Sequence, residues 1–369
     1  MNKPVKLLFS AGGTGGHILP AIAVADTIRE KYPQAVIHFA GATGRMEMEK
    51  VPARGYPITG LPVMGFQRRA MFKNISFPLK LIKSLKKAHS LIHTFSPDAV
   101  VGFGGYASGP VLLVAQWKGI PTFLQEQNAY PGITNRWLAK KAKKIFTAYR
   151  GMEKYFPEKK IVVSGNPIRN TFFSTGSDSA EAARHFGFNA RKPVVFFMGG
   201  SQGARAINHA VAHNIAFFLG KEIQLIWQTG KHYFAEAQAL IKEHAAEAVI
   251  KPYIFIDDIE KAYVAATVTV ARAGAISIAE LSAAGKACIF VPLPTAAEDH
   301  QHKNAMKLVA AGAGEIIENN ALRAELPEKI AALLAAPERI SEMGHKIKEF
   351  AHPGASEKIA EIIMQNIVR

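Results

Sequence analysis

The sequence predicts an α/β protein of two doubly wound domains, each a parallel sheet with helices on both faces. Three observations predict it. Short apolar runs alternate with helical stretches along most of the 369 residues, the pattern of strand–helix–strand units around a parallel sheet. The alternation restarts after a polar, turn-rich stretch, GNPIRNTFFSTGSDS, at 165–179. The two halves also open alike: KLLFSAGGTGGH and VVFFMGGSQGAR both read strand, glycine loop, helix.

In the first half, strands are expected at 5–9, 36–40, 99–103, 122–124, 144–147 and 161–163. Each is short, β-branched or aromatic, and bounded by Gly, Pro or polar residues. Helices fall between them, at about 19–31 and 109–118 for example. The second series runs 193–198, 222–228, 250–255, 268–271 and 287–291. The junction in 165–179 divides the chain into domains of 1–165 and 166–345. From Leu326 the pattern is helical, broken at Pro337 and Pro353. The last helix, at about 355–368 within 346–369, fits either domain, and a return to the amino-terminal one is one of two readings. Two Rossmann-like domains of this kind hold ligands at the carboxyl ends of their strands. Here those ends are expected to face each other across a cleft.

Composition narrows the function. No apolar run reaches the eighteen or so residues of a membrane span. The stretch 1–10 is too brief for a secretory apolar region. Cys288 is the only cysteine, which excludes an internal disulfide and fits a reducing cytoplasm. The formal charge of +16 points to nucleic acid, an anionic membrane face or a phosphorylated substrate. Zinc-finger spacing, an RNP-like aromatic strand and heptads with a basic region are all missing, so nucleic acid is the weakest of the three.

A glycine loop between strand and helix lets backbone N–H groups approach an anion, and the helix start adds roughly half a positive charge. Gly12, Gly13, Gly15 and Gly16 form such a loop. Gly199, Gly200 and Gly203 form a second, with Ser201 and Gln202 adding side-chain hydrogen bonds. A third, GFGGYASG at 102–109, carries Gly104, Gly105 and Tyr106. Three such loops point to more than one phosphate-bearing ligand; the plainer reading is that the glycines only permit tight turns. Neither domain-opening loop is G-x-G-x-x-G, and GGTGGHILP lacks the Lys-Ser/Thr of a Walker A loop. That argues against a dinucleotide oxidoreductase and a P-loop ATPase.

Seven stretches in order, GGTGGHILPA, GFGGYAS, EQNAYPGITNR, GNPIR, GGSQGAR, RAGAISIAEL and DHQHKNA, cover nearly the whole chain. Together they resemble the MurG family. The resemblance implies the GT-B architecture, two Rossmann-like domains with a cleft between them. It also implies transfer of N-acetylglucosamine from UDP-N-acetylglucosamine to a lipid-linked muramyl-pentapeptide in peptidoglycan synthesis.

The resemblance then distributes roles. Ser201 is implied at the UDP phosphates, where the alternative is a plain N-cap serine. Glu280 is implied at the ribose hydroxyls, since a carboxylate can accept two hydrogen bonds. Ala275, Ile276, Ser277, Ile278 and Ala279 open the same helix, whose amides would offset the diphosphate charge. The backbone at Ile256 is implied at the uracil edge, Arg169 at the nucleotide, and Gln301 at the N-acetylglucosamine ring. Asn304 lies one helical turn from Gln301. Arg272 is a second cation near the same helix, with no role assigned. His300 and His302, at i and i+2, point to different helix faces, so no metal site is expected. Asn128, Thr14, Gly15 and Gly16 are implied at the donor from the other domain. Gly12, Gly13, Gly104, Gly105 and Tyr106 are expected at the acceptor. Many relatives carry His before Glu-Gln-Asn; this chain has Gln125, which removes any role for that histidine.

The acceptor's C4 hydroxyl must lose a proton as it attacks. His17, at the edge of the bare loop, is one candidate base, since an imidazole's reference pKa of about 6.5 suits that work. Glu126 is the other, with His17 then orienting the substrate. An α-linked donor and a β-1,4 product imply one inverting displacement, with no covalent intermediate. The chain has no Asp-x-Asp, so neither a metal nor another cofactor is called for.

From 65 to 91 there is no acidic residue. Arg68, Arg69, Lys73, Lys80, Lys83, Lys86 and Lys87 alternate with Phe66, Met71, Phe72, Ile75, Phe77, Leu79, Leu81, Ile82 and Leu85. That mix fits an element lying on anionic lipid, which suits a peripheral protein on the cytoplasmic face of the cell membrane. The alternative is a core-facing helix with a solvated basic side. Rival activities are another GT-B UDP-sugar transferase, a UDP-sugar epimerase, or a protein that binds the nucleotide sugar without turning it over.

Overall fold

The computed structural model describes residues 3–64, 77–174, 178–200, 203–296 and 299–367. Ser201 and Gln202 lie outside them, as does the stretch from Phe66 to Ile75 in the basic segment. The chain divides into two compact units, Met1–Arg169 with Gly354–Arg369, and Asn170–Pro353. The crossings fall at 169/170 and 353/354; the sequence reading put them at 165/166 and 345/346.

Among the described residues the first unit holds seven strands: β1 Lys6–Ser10, β2 Val36–Ala42, β3 Ile58–Leu61, β4 Ala99–Gly102, β5 Thr122–Glu126, β6 Lys144–Thr147 and β7 Ile161–Val163. All pair in parallel, in the order β3-β2-β1-β4-β5-β6-β7. Strand residues alternate between faces. Leu7, Phe9 and Val101 enter one apolar cluster, and Leu8, Val100 and Leu124 enter another. The helix Ala355–Gln365 completes the first of these clusters with Ile359, Ala360, Ile363 and Met364, all buried. Each large side chain so buried contributes roughly 1.5–3 kcal/mol. Lys358 Nζ donates to the Val163 carbonyl at 2.8 Å, and Lys31 pairs with Glu361 at 2.7 Å, tying the same helix down.

Among the described residues the second unit holds six strands: β8 Val194–Met198, β9 Gln224–Gln228, β10 Ile250–Tyr253, β11 Val268–Ala271, β12 Cys288–Phe290 and β13 Glu315–Ile316. Their order is β10-β9-β8-β11-β12-β13, again all parallel. Counted within each unit, the order is 3-2-1-4-5-6, with a seventh strand in the first. This is the doubly wound Rossmann order.

Candidate active site

In such sheets the ligand crevice opens where the strand order reverses. In the first unit that point lies between β1 and β4, whose ends pair Ser10 with Gly102. The glycine loops after these strands pack tightly together. A Cβ on Gly105 would lie 2.0 Å from the Gly12 carbonyl oxygen, and Gly105 has φ +79°, so this position requires glycine. The buried Ser108 hydroxyl reaches the carbonyls of Ser10, at 2.8 Å, and Gly104, at 2.6 Å, and fastens one loop to the other. A Cβ on Gly13 would lie 3.6 Å from the exposed Tyr106 ring, and one on Gly104 would lie 2.8 Å from the His17 ring. Gly12, Gly13, His17, Gly104, Gly105 and Tyr106 therefore lie together, with Gly12 and Gly104 buried beneath the others.

Thr14 is the N-cap of the helix Gly15–Lys31, but its hydroxyl makes no capping bond and meets His17 Nδ1 at 3.1 Å instead. Gly15 and Gly16 open the helix, where amides have no intrahelical acceptor. The Gly13 amide is used differently. It donates to Glu47 Oε1 at 3.0 Å, which also accepts from Ala42 N at 2.9 Å. Glu47 is fully buried, and its Oε2 has no hydrogen-bond partner among the described residues.

Glu126 ends β5 and is 2% exposed. Oε1 accepts from Asn128 N at 3.1 Å and from Asn128 Nδ2 at 3.4 Å; Oε2 accepts from Gly132 N at 3.1 Å and from Asn135 Nδ2 at 2.9 Å. Burial pushes its carboxyl up from the usual range, and these donors oppose the shift. A carboxylate enclosed by four donors is built to shape the 126–135 loop. Gln125 is buried in an amide network. It donates to Asn166 Oδ1 at 3.1 Å and accepts from Gln127, which also donates to the Phe103 carbonyl at 2.6 Å.

In the second unit the reversal lies between β8 and β11, where Met198 pairs with Ala271. A Cβ on Gly203 would lie 2.2 Å from the Thr229 carbonyl oxygen, and Gly203 has φ +79°. Behind this loop stands the buried Gln228. Its Nε2 donates to the Gly200 carbonyl at 3.0 Å and its Oε1 accepts from Ile256 N at 3.3 Å, so the Ile256 amide already has a partner. Ser201 lies outside the described residues.

Gly274 caps the helix Ala275–Ala284, which follows β11 and carries Ala275, Ile276, Ser277, Ile278, Ala279 and Glu280. Ala275, Ile276 and Ile278 are buried, whereas Ser277, Ala279 and Glu280 are partly exposed. Tyr263, fully buried, places its hydroxyl 3.2 Å from Glu280 Oε2. Burial, with Glu280 beside it, drives the Tyr263 phenol well above its usual pKa, so it acts here as a donor. Gln301 Oε1 accepts from Leu293 N at 3.0 Å. Asn304 is fully buried, its Nδ2 turned to the Ala273 carbonyl at 3.4 Å; it ties helix to loop and does not share an exposed face with Gln301. Arg272 donates to the carbonyls of Val291 and Pro292 and to Asn319 Oδ1, bracing the loops after β11 and β12. Burial lowers its pKa to about 10. Arg169 is the last residue of the first unit.

Sequence reasoning missed Glu47, Ser108, Asn135, Gln228 and Tyr263. Asn135 stands within the quoted stretch EQNAYPGITNR, and Tyr263 follows Ile256 by seven residues. Ser108 lies at the end of the third glycine loop. Glu47 carried no signal, since an acid in a short polar helix usually faces solvent.

Among the described residues no group of three or more His, Cys, Asp or Glu side chains could hold a metal ion, and no helix is long and apolar enough to cross a membrane.

Residues 7–147 match the glycosyltransferase family 28 N-terminal domain, and 194–359 match its C-terminal domain. The chain is 44% identical over 365 residues to the UDP-N-acetylglucosamine–N-acetylmuramyl-(pentapeptide) pyrophosphoryl-undecaprenol N-acetylglucosamine transferase of Phocaeicola vulgatus, covering 99% of this chain and 97% of that one. The enzyme of the same name from Cytophaga hutchinsonii is also 44% identical, with 99% and 98% covered. The crystal structure of Acinetobacter baumannii MurG superposes with a TM-score of 0.76 at 29% identity, covering 98% of this chain and 99% of that one. A UDP-GlcNAc 2-epimerase from Neisseria meningitidis, solved with UDP-GlcNAc bound, gives a TM-score of 0.67 at 14% identity over 98% of this chain and all of that one. That last likeness speaks for the fold alone. Two Rossmann-like units with glycine loops at both switch points, matched end to end by these relatives, make the chain a member of the MurG family within glycosyltransferase family 28.

Proposed function

We infer that this chain transfers N-acetylglucosamine from UDP-N-acetylglucosamine to the C4 hydroxyl of a lipid-linked N-acetylmuramyl-pentapeptide, with inversion. The observation that carries the reading is the near full-length match to transferases named for that reaction. In this reading the second unit holds the donor through Ser201, Ile256, Ala275–Glu280 and Gln301, with Arg169, Asn128, Thr14, Gly15 and Gly16 completing its surroundings. Gly12, Gly13, Gly104, Gly105 and Tyr106 receive the acceptor sugar.

A bond forms between the acceptor C4 oxygen and the anomeric carbon. The bond from that carbon to the phosphate oxygen breaks, and its electron pair leaves with UDP. The amides opening the helix Ala275–Ala284 meet the growing charge on the diphosphate. The hydroxyl proton passes to His17 Nε2. Thr14 Oγ1, 3.1 Å from Nδ1, fixes the ring, and with Nδ1 protonated the lone pair lies on Nε2. Glu126, enclosed by donors, holds the Asn128 loop in shape and is a positioning residue.

His17→Ala should lower kcat by about 10²–10⁴ with UDP affinity almost unchanged. Glu126→Gln should cost stability first, since the replacement amide turns an NH2 toward existing donors. UDP release that requires no lipid-linked acceptor, or an epimer as the product, would refute the transferase reading.

The acceptor brings a membrane with it, and we place the protein peripherally on the cytoplasmic face. The helix Phe77–Phe95 exposes Leu79 and Ile82 among Lys80, Lys83, Lys86 and Lys87, and Trp117 and Trp137 are exposed on the same unit. Apolar side chains entering the interface beside basic ones suit anionic lipid. Reversing Lys83, Lys86 and Lys87 to Glu removes about 1 kcal/mol per charge near such a surface. Sedimentation with phosphatidylglycerol vesicles should show the loss, and unchanged binding would remove the idea.

A further inference from the structure

We propose that the second unit carries another anion site, which takes a small phosphomonoester at the amino ends of its strands, the end opposite the glycine loop. A cavity of about 360 Å³ opens there, in the range of small-molecule sites. Val194 begins β8, Thr267 precedes β11 and Ala287 precedes β12, and all three line it. One strand's length, roughly 15 Å, separates it from the donor loop.

The lining is one-sided in charge. Lys192, Lys286, His345 and Lys348 face the cavity, together with Ser179 and Ser341, and no acidic residue lines it. Lys286 donates to the carbonyls of Val264, at 3.0 Å, and Ala266, at 3.2 Å. An ammonium has three donors, so one remains. Lys348 runs over the preceding residue: a Cβ on Gly285 would lie 2.1 Å from its Cε. Burial first, and then repulsion from the Lys348 ammonium, holds Lys286 near a pKa of about 8. Among the described residues, neither has a carboxylate at ion-pair distance. Lys192 is paired with Glu222 at 2.7 Å, outside the lining. Asp178, next to Ser179, directs Oδ1 to the amides of Ala180 and Glu181. His345 Nδ1 donates to the Ser341 carbonyl at 2.8 Å.

Two adjacent cations without a counter-charge favour a dianion between them. The cations are lysines, point charges that suit phosphate, and no arginine fork for a planar carboxylate is present. Ala183, Ala265 and Ile340 line the rest, leaving room for a body of about sugar size.

The test is lysine acylation at pH 8.5, read residue by residue by mass spectrometry, with glucose 6-phosphate, with inorganic phosphate, with glucose, or with sodium chloride at equal ionic strength. Glucose 6-phosphate alone should slow labelling of Lys286 and Lys348. Calorimetry in saturating UDP, which occupies the donor loop, should give binding that weakens about tenfold in Lys348→Glu. Lys348 is exposed, so that variant keeps its fold. Inorganic phosphate protecting as well as the ester would keep the anion site and overturn the sugar-sized ligand. Equal labelling in ester and salt, or unweakened binding in Lys348→Glu, would overturn the site.

Discussion

Gly12 and Gly13 in the first unit, and Gly199, Gly200 and Gly203 in the second, follow the corresponding strand of the same sheet order, yet different groups stand behind them. A buried carboxylate, Glu47, backs the first loop and takes the Gly13 amide. A buried amide, Gln228, backs the second and bonds the Gly200 carbonyl. The first arrangement takes up a loop donor, the second a loop acceptor. Loops of similar sequence therefore differ in the group that stands beneath them.

The largest effects should come from filling the glycines. Gly105→Ala and Gly203→Ala place a methyl about 2 Å from a carbonyl oxygen and should each cost about 3 kcal/mol or more. UDP titration should separate them, with affinity lost in the second and kept in the first; equal loss would break the comparison. Glu47→Ala leaves the buried Ala42 amide and the half-buried Gly13 amide unpaired and should cost about 2–4 kcal/mol in urea unfolding. Glu47→Gln, which keeps an accepting oxygen without the charge, should recover much of this. Should Glu47→Gln bind UDP more weakly, the assignment of the loops is wrong. The smallest effect is one of pH. The folded pKa of Lys286, about 8, lies below its ordinary 10.5, so between those values the unfolded chain binds more protons and stability rises with pH. From pH 8 to 9.5 the gain should be roughly 1–2 kcal/mol, and Lys286→Met should abolish it.

Much of the fold was legible because buried parallel strands are dense apolar runs. VVFFM at β8 and QLIWQ at β9 are fully buried. The strands left unassigned, Ile58–Leu61 and Glu315–Ile316, are edge strands of four and two residues, too short for periodicity to register. The strand expected to reach 255 stops at Tyr253, and Pro252 sits within it; β10 is an edge, where a missing N–H is tolerated. The loops of the site were legible as glycine clusters. What the loops rest on was not, since Glu47 lies 34 residues from Gly13 and only the β1–β2 pairing brings them together. Glu126 was visible as an acid, but its enclosure by Asn128, Gly132 and Asn135 depends on a turn that spacing does not reveal.

Because Gly354–Arg369 belongs with the first unit, the second is an insertion in it. Ile359 and Ile363, which close the core around Phe9 and Val101, leave the ribosome after every residue of the inserted unit. The half translated first is thus finished last, and during synthesis one apolar face of its sheet is covered by the helix Gly15–Lys31 without its last helix. Nascent chains stalled before Ile359 should accordingly protect the second unit from protease sooner than the first.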